Sequence, residues 1–165
     1  MDEYITRYSE AFTSKNVQTI QSTIEYIDGL ILENKAPVIN APYHKAQLEF
    51  KIGDIEKAIN TLKSWKSKIS YFYLMTIYLK IGKITEANIV IESLVKELID
   101  DVNKNSRARE NELNNIVLYY RTLNMDYSEL MNDWIRKGII TQEDVLNAGK
   151  PENTITELML ESIWP

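Results

Sequence analysis

His44 is the only histidine in the chain and cysteine is absent, so side chains able to ligate a metal are almost all carboxylates. Tyr43 precedes His44 and Lys45 follows it, leaving no Glu-x-x-His or His-Glu-x-x-His spacing that could hold a metal. His44 therefore reads as a structural residue. A helical Asp-Asp-x-x-Asp could gather oxygens around magnesium, and Asp100-Asp101 begins one. Its fifth position is Lys104, which would repel the ion. Glu92 with Glu97 and Glu110 with Glu112 fit solvated helix faces. Gly53, Gly82, Gly138 and Gly149 are isolated from one another, so no glycine-rich loop can cradle a phosphate. A serine or threonine nucleophile would need a base beside it, and only His44 or a carboxylate could serve. The expectation is a non-enzymatic protein without cofactor or metal, an all-α enzyme being the less favoured alternative.

The elements that would position these groups are helical. Residues 3–13 place Tyr4, Ile5, Tyr8, Ala11 and Phe12 on one face. A second helix runs from about Asn16 to Asn34, with Val17, Ile20, Ile24, Ile27 and Ile31 at alternating steps of three and four and Gly29 inside it. Ala36 to Ala41 is an extended connection. Asn40 is positioned to cap a third helix, with Pro42 in its first turn, and Gly53 ends that helix. Asp54 is expected to cap a fourth, whose buried face carries Ile55, Ala58, Ile59, Leu62 and Trp65. The spacing predicts a fifth helix over 70–81, closed by Gly82, and a sixth from Ile84 that carries Ala87, Ile91, Leu94, Val95 and Leu98.

The polar run Asp100 to Asn111 reads as a mobile junction. Beyond it Leu113, Ile116, Val117, Tyr120 and Leu123 form a further stripe. Three capping boxes punctuate the remainder: Asp126 with Glu129, Thr141 with Asp144, and Thr154 with Glu157. A terminal helix from about Ile155 to Trp164 presents Ile155, Leu158, Met159 and Ile163 with Trp164 beside them. It either docks in a groove of the protein or packs on the last helices as a cap, the cap being the expectation. No segment alternates like a strand, so the fold class is all-α.

At 165 residues the chain suits one domain, and 44% hydrophobic with 26% charged residues is ordinary for a soluble protein. No stretch approaches the roughly 18 uninterrupted apolar residues that cross a bilayer. The opening Met1-Asp2-Glu3-Tyr4 has the wrong sign for a secretory signal, which gives a cytoplasmic expectation. The net charge of −5 is uneven: −3 over residues 1–35, +5 over 36–83 and −7 over 84–165. That distribution argues against a nucleic-acid footprint.

Residues 50–59 read Phe-Lys-Ile-Gly-Asp-Ile-Glu-Lys-Ala-Ile, and 79–88 repeat Lys, Ile, Gly, Ile and Ala at the same offsets, 29 residues on. This resembles the centre of a tetratricopeptide repeat (TPR), where glycine makes the turn and a small alanine lets two helices cross closely. Tyr78, Gly82, Ile84 and Ala87 fill the corresponding places in the second copy, and a fainter copy keeps Phe12, Asn16, Val17, Ile20, Ile24 and Ile27. The family repeat runs about 34 residues, so one helix or loop is shortened here. Pro42 and Tyr71 take the place of its early Trp, and its small residue in the first helix is Ala46 in one copy but Met75 in the other.

The resemblance implies antiparallel αα-hairpins stacked as a right-handed array: a degenerate first hairpin over 2–35, two TPR-like hairpins over 40–99, and capping helices over 112–165, all one domain. It also implies a scaffold that binds a protein or peptide partner in a groove lined by Tyr43, Gln47, Phe50, Phe72, Thr76 and Leu79, with Ile5 and Phe12 joining if the first hairpin belongs. The Lys and Asn pattern of the carboxylate-gripping members is missing. An alternative reading, from small size and the negative C-terminal half, is an immunity or inhibitor protein that neutralises a basic toxin through Asp126, Glu129, Asp133, Glu143 and Asp144.

Overall fold

Gly53 and Gly82 take φ of +87° and +73°, a left-handed conformation that a side chain adopts only with strain. Each follows a helix by two residues and turns the chain directly into the next. A computed structural model describes residues 2–65, 67–150 and 155–164 of the protein. Among them are ten helices and no strand: α1 (Asp2–Thr13), α2 (Val17–Leu32), α3 (Ala41–Lys51), α4 (Ile55–Ser64), α5 (Lys68–Lys80), α6 (Ile84–Asn105), α7 (Glu110–Thr122), α8 (Ser128–Arg136), α9 (Gln142–Ala148) and α10 (Glu157–Ile163). No described helix is long and apolar enough to cross a membrane.

Helices α1 to α7 each pack on the next in sequence, and α1 also reaches α3. The apolar stripes supply the seams. Tyr4 and Ala11 of α1, Ile20, Ile24 and Ile27 of α2, and Ala41 and Leu48 of α3 form one buried cluster. Ala46, Ala58 and Ala87 are fully buried where α3, α4, α5 and α6 meet, the small residues that close crossings need. Met75, also fully buried, packs instead with Ile91, Leu94, Val95 and Tyr119. Val17 and Ile5 fall outside the seams and are exposed, while Trp65 stands just past α4 as a half-buried cap residue.

The expected junction at Asp100 to Asn111 is mostly helix. α6 continues to Asn105 because Val102 is buried against α7 and α8, and the Trp134 indole donates to Asn103 Oδ1 at 3.0 Å. The chain turns only at Ser106, at φ +51°.

Capping also differs from the expectation at several helix starts. Asn16 does cap α2, accepting from the amides of Gln18 and Thr19, and Thr141 with Asp144 forms the reciprocal box of α9. Asn40 makes no capping bond, and its buried Oδ1 has no partner among the described residues. The Asp54 carboxylate takes the Lys57 ammonium at 2.5 Å instead of the α4 amides. Asp126 accepts from the Ser128 amide and hydroxyl, one residue outside the expected box with Glu129. Thr154 lies outside the described residues, and Thr156 caps α10 through the Met159 amide.

One buried charge ties three helices together. Glu49 of α3 accepts from the Thr61 hydroxyl of α4 at 2.8 Å and lies 3.8 Å from Lys45, which also pairs with Asp28 of α2. Burial raises the Glu49 carboxyl above its ordinary value, with the Thr61 bond and Lys45 opposing. A carboxyl raised on folding contributes stability that is full below its unfolded value and is lost as pH rises through its folded value. Glu49→Gln keeps the Thr61 bond without the charge. Its melting temperature relative to the parent should therefore be constant below the ordinary glutamate value of about 4.3 and rise over the pH range above it. A flat or falling difference in thermal melts across that range would contradict the assignment.

Candidate binding groove

Tyr43, Gln47 and Phe50 recur at steps of four and three along α3, and Thr76 and Leu79 stand three apart along α5, so each set shares one face. The two faces meet. Tyr43 stacks on Tyr73 of α5 with ring centroids 3.6 Å apart and planes within 9°, which joins the helices at one end of a groove. Into this groove comes Trp164, fully buried. Phe50 lies 5.3 Å from its ring, and Tyr43 meets it edge-on at 5.9 Å. The cluster around it includes Ala46, Ala58, Ile59, Leu62, Leu74, Ile77, Tyr78 and Ala87.

Two polar side chains in the groove have their free valences directed at this segment. Thr76 is fully buried; its hydroxyl donates to the Tyr73 carbonyl at 2.9 Å, which leaves a lone pair that accepts the Trp164 indole N–H at 3.0 Å. The Gln47 amide oxygen accepts from the Tyr8 hydroxyl at 2.6 Å, and its nitrogen donates to the Ile163 carbonyl at 2.6 Å. Tyr8 fixes which end of that amide faces the groove. Burial pushes the Tyr8 hydroxyl up to about 12, so it remains a donor near neutrality. The Tyr8 ring stacks on His44 at 4.1 Å, and His44 Nδ1 is 2.8 Å from the Tyr4 hydroxyl. Burial lowers the His44 pKa and favours the neutral ring. The lone histidine thus braces the residue that braces Gln47.

Five of the six groove residues read from the sequence gather here. Phe72 does not join them in the same way. It packs beside Met75 with Ile91, Leu94 and Val95, where Ile155 also sits, and Tyr73 contributes the aromatic facing Tyr43. Sequence offset pairs Tyr43 with Phe72, and the adjacent aromatics at 72 and 73 gave no basis for choosing between them. Tyr8 was likewise missed as a groove support, although it lies on the first helix's apolar face. Phe12 packs in the α1–α3 cluster under Lys51, whose ammonium reaches the Phe12 carbonyl, and Ile5 is exposed.

The terminal segment is not a cap on the last helices. Ile155 starts beside Tyr119, α10 packs on α5, and Trp164 ends between α3 and α5. No residue of α10 itself is buried; Leu158 is 77% exposed and Met159 41%.

The acidic residues lie elsewhere, on α8 and α9 and before them. Asp126 and Asp144 accept local hydrogen bonds that hold their carboxyls below the ordinary range. Asp133 pairs with Lys137 at 2.6 Å and Arg136 at 3.5 Å. Glu129 and Glu143 are exposed in the first turns of α8 and α9, where the helix dipole favours them. Glu129 and Asp133 border one surface hollow, whereas Asp144 borders another together with Arg107 and Arg109. Among the described residues no group of three or more His, Asp or Glu is placed to hold a metal ion.

Thr76→Val removes the acceptor of a buried N–H and should cost about 1–3 kcal/mol, while Thr76→Ser should cost less than half of that. Urea unfolding followed by tryptophan emission measures both, and a Thr76→Val chain as stable as the parent would place the indole elsewhere. No protein-family model, curated protein or solved structure matches the chain, so its function is read from the groove.

Proposed function

We propose that the protein is a non-enzymatic helical scaffold, its hairpins arranged in the TPR manner, that binds a segment of a protein partner between α3 and α5. One observation carries this reading. The groove already holds a peptide segment, gripping a side chain through Thr76 and the main chain through Gln47. Both polar groups are oriented from behind by Tyr73 and Tyr8, independently of what lies in front of them. That preorganisation is what lowers the cost of ordering a ligand. The engagement of His44 with Tyr4 and Tyr8 supports a structural role for the residue best suited to catalysis.

The test uses Trp164→Ala as bait in extract of the native cells, with far-UV circular dichroism to verify folding. A partner retained by this chain should be lost when Phe50→Ala is added, because Phe50 forms a wall of the groove. Retention that ignores Phe50→Ala excludes the groove as the binding surface.

The inhibitor reading draws support from the negative C-terminal half and the exposure of Glu129 and Glu143. It is weakened by the local commitments of Asp126, Asp133 and Asp144. If it holds, Glu129→Lys with Glu143→Lys slows association with a basic partner by about tenfold or more at low salt and by less at high salt. Rates indifferent to charge and salt rule it out.

A further inference from the structure

The resident segment defines the chemistry of the ligand as well as the place where it binds. The geometry points to a partner peptide bearing an aliphatic residue followed by tryptophan, which displaces residues 155–164 from the α3–α5 groove. This inference rests on the groove reading above and specifies its ligand. Thr76 has one hydrogen-bond demand left, an N–H donor deep in an apolar cleft, and an indole supplies it. Phenylalanine would leave the Thr76 oxygen without its donor, and tyrosine would bring a hydroxyl on a longer, narrower ring. Gln47 asks for a carbonyl one residue earlier, which any peptide backbone offers. Ile163 packs against the same cluster as Trp164, so an aliphatic side chain is favoured at that position.

The resident segment is built to be exchanged. α10 spans seven residues, fewer than an isolated helix needs to persist in water. It buries none of them, and Leu158 and Met159 face solvent. Ile155 packs at its start against the Met75 cluster, and Ile163 with the fully buried Trp164 holds its other end. A competing aliphatic–tryptophan pair offers the same two hydrogen bonds and the same buried ring, so the exchange is close to balanced in contacts. The resident copy has the advantage of tethering, an effective concentration of the order of millimolar. The groove therefore accepts only a ligand that matches the resident chemistry and adds contacts of its own.

The experiment titrates a fluorescein-labelled peptide, Ile-Thr-Glu-Leu-Met-Leu-Glu-Ser-Ile-Trp (residues 155–164), into full-length chains and follows its anisotropy. Trp164→Ala should bind at least about tenfold more tightly than the parent chain, since the tethered competitor is gone. Adding Thr76→Val, or replacing the peptide tryptophan by phenylalanine, should weaken that binding about fivefold or more. A folded Trp164→Ala chain that does not bind, or equal binding to both chains, overturns the proposal.

If Trp164→Ala proves unfolded by circular dichroism, the parent chain labelled with 5-fluorotryptophan replaces it. Excess unlabelled peptide should then move the Trp164 fluorine resonance to a solvent-exposed position, and an unmoved resonance overturns the proposal. Light scattering should show a monomer at all concentrations. A dimer that grows with concentration assigns the groove to the tail of a second copy and overturns the partner assignment. The two readings fail separately. Peptide binding with no partner retained from extract removes the scaffold reading alone, and a Phe50-dependent partner with no peptide binding removes the ligand chemistry alone.

Discussion

A helical hairpin cannot bury both of its apolar faces by itself, and the architecture follows from that constraint. Each helix from α1 to α6 lends a face to the one that follows it in sequence. Where α3 and α5 come together, the Tyr43–Tyr73 stack holds them and a strip of apolar surface remains between them. Trp164 covers that strip. Burying an indole contributes about 3 kcal/mol or more only if its N–H is also satisfied, and Thr76 provides for that. The terminal segment and the α3–α5 surface thus match in apolar packing and in hydrogen bonding.

The uneven charge of the chain has a similar structural origin. Part of the positive middle is paired within the chain. Lys45 pairs with Asp28 and Glu49, Lys51 reaches the Phe12 carbonyl, Lys57 pairs with Asp54, and Lys83 with Glu56. Two of these contacts, from Lys45 to Asp28 and from Lys51 to the Phe12 carbonyl, link the basic middle to the acidic first hairpin. At the other end Arg121 donates to the carbonyls of Gly149 and Lys150, tying the end of α9 to α7. Charge patterning here serves contacts within the chain.

Much of the fold was legible because helix faces repeat on a fixed period. The stripes of α2, α6 and α7 and the turns at Gly53 and Gly82 follow from spacing and from the left-handed backbone that glycine permits. Gln47 and Thr76, like Phe50 and Leu79, stand 29 residues apart as the two glycine turns do, while a groove lined by them is what the TPR resemblance implies. Short polar side chains were harder to place. Asp54 and Asp126 had two partners within reach, and spacing alone does not rank them. The long α6 was hidden because Val102 is one apolar residue in a polar run, and only the tertiary contact with Trp134 reveals its value. The resting place of Trp164 depends on contacts across roughly ninety residues, to which local periodicity is blind.

Gln47 joins two parts of the molecule that are otherwise far apart in sequence. Its oxygen is held by Tyr8 of α1 and its nitrogen holds Ile163. A group bonded on both sides couples the two sides energetically, and such coupling is reciprocal. Whatever fills the groove steadies the first helix, and whatever loosens the first helix weakens the grip on the groove. The first helix, packed on α2 and α3, is therefore coupled through one amide to the segment that lies between α3 and α5.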